Sequence, residues 1–503
     1  MEDLRALVKL VSKNKIKKIE LIGEGDSKYQ ALYDELSSGN FKDEKEAEEF
    51  FFPGNKNQSY YLQRLKKQLN ERLLNTLFFI DINQPNFTEY QRAYYTCYKA
   101  ATATQILLGR HARSPAIKLA EKTIKHAVKF ELTDVALQLS KVLRFHFGGV
   151  AGHKKKYQQY NGLVRQYTKI LNAELLVEEY YTEILINFVS SSATKPEIIK
   201  LAETFSQELA EMGKEVDSYR FKILYYNIYV LRHELASNYE KAIIACKEAL
   251  HFFDKKKHIA TNNAKFLFLF KIIGAKIYLK QFLEIEHDIQ HCKALIPIGS
   301  VNWFLTFHYH MIYLYHSNQF QKALEVYREV MHHTKNKIPY KQIAEHWRLH
   351  EAFIEYFGLI KKIDRSQDNG NPKFRISKFL NEVPAFSKDK RGYNITILII
   401  QMLFLLQQKK YGAIIDKMES LQAYTHRYLR QDDTFRSNCF VKMLLCLPAA
   451  SFHKKAVLRK SDKYWKKLLS VPIEETNQSA EMEIVPYEML WEFVLEGLDE
   501  KWH

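Results

Sequence analysis

One local pattern recurs in four stretches of this chain and limits what it can fold into. An aromatic residue is followed three positions later by a small or branched apolar residue, and four and seven positions beyond that by two more apolar residues. The four sets are Tyr239–Ala242–Cys246–Ala249, Phe282–Ile285–Ile289–Cys292, Phe320–Ala323–Tyr327–Val330 and Tyr411–Ile414–Met418–Leu421. These offsets place the members of each set on one helical face. Each set follows another apolar helical run after a short polar turn, so the pattern predicts repeated helix pairs that stack on one another.

The clearest predicted pair covers residues 302–335. Its first helix carries Phe304, Phe307 and Met311 on one face, and a polar turn at 316–318 precedes the second helix, which begins near Phe320. The small side chain of Ala323 allows the two helices to approach closely, while a bulky ring at position 327 fills the space toward the next pair.

The segments Asn238-Tyr-Glu-Lys-Ala-Ile243 and Gln319-Phe-Gln-Lys-Ala-Leu324 resemble the second-helix signature of tetratricopeptide repeats. The resemblance implies an all-α fold, a right-handed superhelical solenoid of antiparallel helix pairs over residues 88–470. It is best at 217–334 and degenerate at 391–428. Ala242 and Ile285 lie 43 positions apart, and Ile285 and Ala323 lie 38 apart, against about 34 in the family. No Lys, Asn and Arg set matching the family's carboxylate clamp can be assigned.

Composition agrees with a helical chain. The 503 residues include only 17 Gly and 11 Pro, so turn formers and helix breakers are scarce and long helices with short connections are expected. A chain of this length exceeds one compact core and suits an extended stack or several domains.

Four regions follow from the rhythm of the sequence. Residues 1–80 form a small N-terminal helical module, which either caps the solenoid or adopts a helix-turn-helix arrangement with Tyr60–Asn75 as recognition helix. Residues 88–470 form the solenoid, 471–485 an acidic linker, and 486–503 an amphipathic C-terminal helix. That last helix presents Trp491 and Phe493 on an acidic background, so it is expected to dock either on its own solenoid or in a partner's groove.

The net charge is +17, and the stretch from Glu474 to Lys501 holds nine acidic residues and one basic residue. Basic clusters lie mostly at predicted helix ends, where cations interact favourably with the helix dipole. The alternative is an anion-binding edge, and its strongest candidate is the helix near 453–467, where Tyr464 and Trp465 interleave with the charges. The candidate anion-binding residues are Lys454, Lys455, Arg459, Lys460, Lys463, Lys466 and Lys467.

The sequence contains only partial matches to catalytic and metal-binding motifs. His346 and His350 are one helical turn apart, a spacing that can bind zinc, but Trp347 stands where a metalloprotease has Glu and no third ligand is identifiable. Gly23-Glu-Gly-Asp26 resembles part of a phosphate-binding loop without the following Lys-Ser/Thr, so a turn is predicted there. We expect no enzyme activity, no metal and no cofactor.

The expected function is a non-enzymatic helical-repeat adaptor or scaffold that binds a protein or peptide partner in a concave groove. The alternative is a nucleic-acid-associated regulator that uses the N-terminal module and the basic edge of the solenoid. The N-terminus lacks a signal-peptide pattern and no apolar run reaches about 18 residues, so a cytoplasmic protein without membrane contact is expected. The partner's identity and the oligomeric state are not encoded in these patterns. The predicted groove residues are Tyr226, Tyr229, His308, Tyr309 and Tyr313.

Overall fold

A computed structural model describes residues 1–13, 28–41, 43–85, 87–189, 195–335, 338–365, 374–381, 393–428, 434–475 and 483–498. Helices account for 81% of the structure and the described residues contain no strand, which confirms the all-α class. The chain divides into two compact units, Met1–Asn172 and Ala173–His503. This division does not test the module boundaries predicted from the sequence, 1–80 and 88–470, which remain predictions.

The first unit consists of short helices followed by longer ones. They are α1 (Glu2–Lys13), α2 (Lys28–Ser38), α3 (Glu44–Phe51), α4 (Gln58–Thr76), α5 (Glu89–Gly109), α6 (Arg113–Lys129), α7 (Thr133–Phe145) and the beginning of α8 (Lys154–Val189). A 3₁₀ turn at Leu77–Phe79 follows α4, and a π-helical turn at His146–Val150 follows α7. Helices α5, α6 and α7 pack against one another in chain order.

Two local features define the start of this unit. Asp43 caps α3 by accepting hydrogen bonds from the backbone N–H groups of Lys45 and Glu46. Helix α4 buries Leu62, Leu65 and Leu69, which recur at helical spacing, against the apolar faces of α1 and α2. The first 80 residues therefore enclose an apolar cluster of their own.

The second unit continues with helices after α8. They are α9 (Lys195–Glu215), α10 (Tyr219–Leu235), α11 (Tyr239–Lys255), α12 (Asn262–Tyr278), α13 (Ile285–Leu295), α14 (Val301–His316), α15 (Phe320–His333), α16 (Lys341–Leu359), α17 (Ile376–Asn381), α18 (Tyr393–Gln407), α19 (Tyr411–Tyr428), α20 (Phe435–Leu444), α21 (Cys446–Ala449), α22 (Lys454–Leu469) and α23 (Tyr487–Glu496). Helices that are neighbours in the chain pack against each other from α9 to α16, as the repeat pattern predicts.

The four aromatic positions of the repeat share one type of connection. Two residues before each of them, a residue other than glycine adopts a left-handed backbone conformation: Ser237, Lys280, Asn318 and Lys409, with φ between 52° and 60°. The next residue then donates its N–H to a carbonyl five positions earlier, as in Gln319 to Leu314 at 2.8 Å. This 6→1 bond closes the last turn of the preceding helix. The aromatic residue thus marks the point where the chain has turned and the next helical segment begins.

The small residues of the repeat lie where the paired helices meet. Ala323 is fully buried at the contact of α15 with α14. In the apolar cluster of α10, α11 and α12, Ala242 and Ala249 are buried, and Tyr239 of α11 stacks on Tyr278 of α12 with ring centroids 4.3 Å apart. Small side chains therefore permit close helix packing while the rings fill the outer part of each contact.

Some predicted boundaries differ from the structure. Helix α8 runs through residue 173 without a break, because Ala173 continues its buried face and the helix contains no proline. At Phe282 the chain forms a 3₁₀ turn before α13 begins at Ile285. The turn predicted at 23–26 and the middle of the 471–485 linker lie outside the described residues. Over the described helices, none is both long and apolar enough to cross a lipid bilayer.

Candidate functional site

A cavity of about 590 Å³ lies between α15 and α16. From α15 it is lined by Leu324, Tyr327, Arg328 and Met331, and from α16 by Ala344, Trp347, Arg348, Glu351, Ile354 and Glu355. Each set follows helical spacing, so the cavity is formed by the facing sides of two neighbouring helices. Its volume is in the range of sites that hold one small ligand or one large side chain of a partner.

The lining of the cavity combines apolar side chains with charged ones. The indole of Trp347 is buried, and the small side chain of Ala344 also lines the cavity. Arg365 forms an ion pair with Glu355 at one side. Three guanidinium groups and two carboxylates line the cavity, so its charged side chains carry a net charge of +1. An apolar group attached to a carboxylate or phosphate fits this combination, since guanidinium groups bind such anions in a planar geometry.

Burial changes the acid–base behaviour of the cavity. Burial raises the pKa of Glu351, and the neighbouring Arg348 opposes this shift while Glu355 adds to it. Burial also raises the pKa of Tyr327, with the carboxylate of Glu351 as the next cause. Burial thus disfavours the ionised forms of both Glu351 and Tyr327.

The five predicted groove residues divide into two groups. His308 and Tyr313 are buried, with 3% and 6% of their surface exposed, so their side chains face the helices packed around α14. Tyr309 is half-buried beside Phe270, with ring centroids 4.5 Å apart. Tyr226 and Tyr229 are half-buried and pack on the apolar cluster of α10, α11 and α12. The structure therefore does not bring all five to one open surface, and the three tyrosines are the members of the set that are partly exposed.

The two histidines considered as zinc ligands, His346 and His350, lie near a third, His308. His350 is fully buried and its Nε2 atom lies 2.7 Å from Nδ1 of His308, which also explains why His308 faces inward. The ring of His346 lies 5.9 Å from that of His308. No group of three or more His, Cys, Asp or Glu side chains in the described part of the chain is arranged to hold a metal ion.

Helix α22 exposes most of its predicted anion-binding residues. Lys455, Arg459, Lys460, Lys463, Lys466 and Lys467 are exposed, and Lys454 is half-buried. Asp462 pairs with Lys466 at 2.8 Å, and Lys463 lies 4.7 Å from the centre of the Tyr464 ring. Ala456, Val457, Ser461 and Leu468 form the buried face. The result is a basic face interrupted by one acidic residue.

The C-terminal helix packs on the second unit. Trp491 and Val494 are buried in the same apolar cluster as α14, α16 and α20, and Tyr487 stacks on Phe440 at 4.6 Å. A buried arginine, Arg436 of α20, donates to Glu483 through Nε at 2.9 Å and Nη2 at 2.7 Å, and to Glu488 through Nη2 at 2.7 Å. Its Nη1 donates to the carbonyls of Leu468 and Val471. The acidic segment is thus held by its own chain.

Comparison of the chain with protein-family models, with curated proteins and with solved structures gave no match. The residues of the α15–α16 cavity were missed from the sequence. One sequence feature could have indicated the cavity: a charged residue on an otherwise apolar helix face, in the set Leu324, Tyr327, Arg328 and Met331.

Proposed function

We propose that the chain is a non-enzymatic adaptor, a solenoid of tetratricopeptide-like helix pairs that binds a protein or peptide partner. The packing of consecutive helices and the recurring left-handed connection before each aromatic position support this architecture. In such a stack each helix pair buries its apolar face on the next pair, which leaves one side of successive helices to display contact residues. The antiparallel pairing, the right-handed superhelix and a cytoplasmic location are part of the proposal.

The observation that carries the proposal is the cavity between α15 and α16. It would accept one apolar or aromatic side chain of the partner against Trp347 and Met331, while Arg328 and Arg348 face an acidic group beside it. Tyr226, Tyr229 and Tyr309 are proposed as further contacts, because half-buried tyrosines offer apolar area and a hydroxyl with little loss of conformational entropy. No cofactor is needed for this role.

The test is selection of random peptides displayed on phage against the full-length chain. Peptides that bind with micromolar affinity and carry an apolar residue beside an acidic one are expected. Ala344→Phe fills the cavity and should weaken their binding at least about tenfold. Ala236→Phe adds the same ring at an exposed position and should leave the affinity within about twofold. Equal binding to both variants would remove the cavity from the proposal.

The alternative function, a nucleic-acid-associated regulator, is supported in the second unit by the exposed basic face of α22. Replacing Lys455, Lys463 and Lys467 by Gln in the full chain tests it. If α22 contacts phosphates, the salt dependence of binding to mixed DNA and RNA should become less steep, by roughly one unit of the log–log slope per lysine. An unchanged slope would remove α22 from the alternative.

A further inference from the structure

The positive charge of the protein is concentrated in one part of the first unit. Residues 87–172 contain 15 basic and 4 acidic residues, a net charge of +11, whereas residues 1–86 contain 14 of each. Most of the protein's total of +17 therefore lies on α5, α6, α7 and the beginning of α8. An uneven distribution of this size marks a surface that attracts anions.

Helix α6 arranges part of this charge in a straight row. Lys118, Lys122, Lys125 and Lys129 lie at offsets of 4, 7 and 11 positions, which places them on one face of the helix. All four are exposed, and the row spans roughly 16 Å along the helix. At its end Lys129 pairs with Glu89 at 2.8 Å in solvent. The opposite face of α6, with Ala116, Ala120, Ile124 and Ala127, is buried.

The first turn of α8 extends the basic row. Lys156 of α8 contacts Glu121 of α6 at 2.7 Å, which places Lys154 and Lys155 beside α6. Tyr157, one turn after Lys154 on α8, has 39% of its surface exposed, and Phe145, at the end of α7 and beside Gly149, has 66% exposed. The surface formed by the α6 row, Lys154 and Lys155, and these two rings is called the α6–α8 surface below.

This arrangement lowers the stability of the free protein. Like charges four positions apart on a helix repel each other. Cations in the first turn of a helix oppose its dipole, and the first turns of α6 and α8 contain no acidic residue. A polyanion bound to the surface would offset both effects.

We propose that the α6–α8 surface binds single-stranded nucleic acid. The lysine row contacts successive phosphates, and the exposed rings of Phe145 and Tyr157 stack on bases at its edge, the combination by which proteins hold single strands without reading their sequence. An anionic membrane is the less favoured ligand, because α6 buries its apolar face in the protein and cannot insert it between lipids. The inference does not depend on the adaptor proposal, since the cavity lies on other helices.

The experiment measures binding of the full chain to a fluorescein-labelled 20-nucleotide single strand by anisotropy between 50 and 200 mM NaCl. The triple variant Lys118→Gln, Lys122→Gln, Lys125→Gln should weaken binding at 100 mM NaCl at least about tenfold and reduce the log–log salt slope by roughly two. The control Lys45→Gln, Lys56→Gln, Lys67→Gln removes the same charge from exposed positions in the neutral part of the unit. It should stay within about twofold of the unaltered protein.

A second pair of variants tests the rings. Phe145→Leu and Tyr157→Leu should each weaken single-strand binding roughly fivefold or more while the salt slope stays the same. Circular dichroism checks that every variant is folded. The proposal is overturned if the single strand does not bind at 50 mM NaCl, or if the two triple variants bind equally. It is also overturned if duplex of the same length binds as tightly and the ring variants have no effect, or if only vesicles with 30% phosphatidylserine bind.

Discussion

Nδ1 of His308 lies 2.7 Å from Nε2 of His350, and both imidazoles are buried at the contact of α14 with α16. In the neutral pair, one of these two nitrogens donates a hydrogen bond and the other accepts it. Burial lowers the pKa of His308 to about 3, with His346 as the second cause. Burial also lowers the pKa of His350, followed by the effects of His308 and His346. Protonation of His350 would place an uncompensated charge beside the rings of Trp347 and Tyr315.

The first prediction is that the second unit loses stability in mild acid. For an imidazole whose folded pKa is lowered, the stabilisation is complete above the unfolded pKa of about 6.5 and is lost as the pH falls toward the folded pKa. Between pH 8 and pH 5 each buried ring should reduce the free energy of unfolding by about 2 kcal/mol. Urea unfolding followed by tryptophan fluorescence measures this, because all five tryptophans lie after residue 172.

Two variants separate the histidine pair from other acid effects. His350→Gln removes one of the two buried rings, so the difference in unfolding free energy between pH 8 and pH 5 should shrink by about 2 kcal/mol. His287→Gln replaces an imidazole whose side chain is 85% exposed, and it should leave the difference unchanged. If both variants retain the full pH dependence, the pair does not cause it.

The second prediction concerns the arginine that holds the C-terminal segment. Arg436→Met should reduce the free energy of unfolding of the second unit by about 3–5 kcal/mol, because it leaves the carboxylate of Glu483 buried without its partner. Burial already raises the pKa of Glu483, and Arg436 is the group that counters this. Urea unfolding at pH 7.5 gives the free energy, and hydrogen exchange over 483–498 shows whether the segment detaches.

The matched control is the ion pair of Lys362 with Glu496, whose charged atoms are 3.5 Å apart and partly in solvent. Lys362→Met should cost less than about 1 kcal/mol. A loss for Arg436→Met no larger than that of the control would mean that the buried network contributes little to docking of the segment.

The positions of the helices could be predicted from the sequence because their signals are local. The aromatic residues Tyr239, Phe320 and Tyr411 each begin a helix in the structure, as the repeated pattern indicated. What the sequence did not show is how the chain turns before them. The left-handed residue is Ser, Lys or Asn at these connections. Ser and Lys have no preference for this conformation that would identify it in advance, as glycine and, less strongly, Asn have.

The orientation of individual side chains within a helix was harder to predict. In α14 residues 303 and 304, 306 to 308 and 310 to 315 are buried, since neighbouring helices cover almost its whole circumference. An apolar stripe cannot be identified on such a helix, so His308 and Tyr313 were expected in a groove although they face the core. The cavity was missed for a related reason: it depends on how α15 and α16 are spaced, which a pattern within one helix does not contain.

The third prediction tests the role of the small residue in the repeat. Ala323→Leu should reduce the free energy of unfolding of the second unit by about 1–3 kcal/mol, because Ala323 is fully buried where α15 meets α14 and a larger side chain would force the helices apart. Glu325→Leu makes a similar change at an exposed position of the same helix and should stay within about 0.5 kcal/mol. A tolerated leucine at 323 would show that the contact is loosely packed.

The last prediction concerns the left-handed connection before Phe282. Lys280 has a φ of 54° and is exposed, so its Cβ is strained, and its ion pair with Glu474, at 3.6 Å, is partly in solvent and contributes little. Lys280→Gly removes this strain and should raise the free energy of unfolding of the second unit by about 1 kcal/mol. Lys247→Gly, an exposed lysine inside α11, should lower it by about the same amount, since glycine is unfavourable in a helix interior. Replacement of an exposed lysine by glycine is thus expected to raise the free energy of unfolding at position 280 and to lower it at position 247. Urea unfolding of both variants measures the two free energies. A loss of stability at both positions would mean that the backbone at Lys280 is not left-handed in solution.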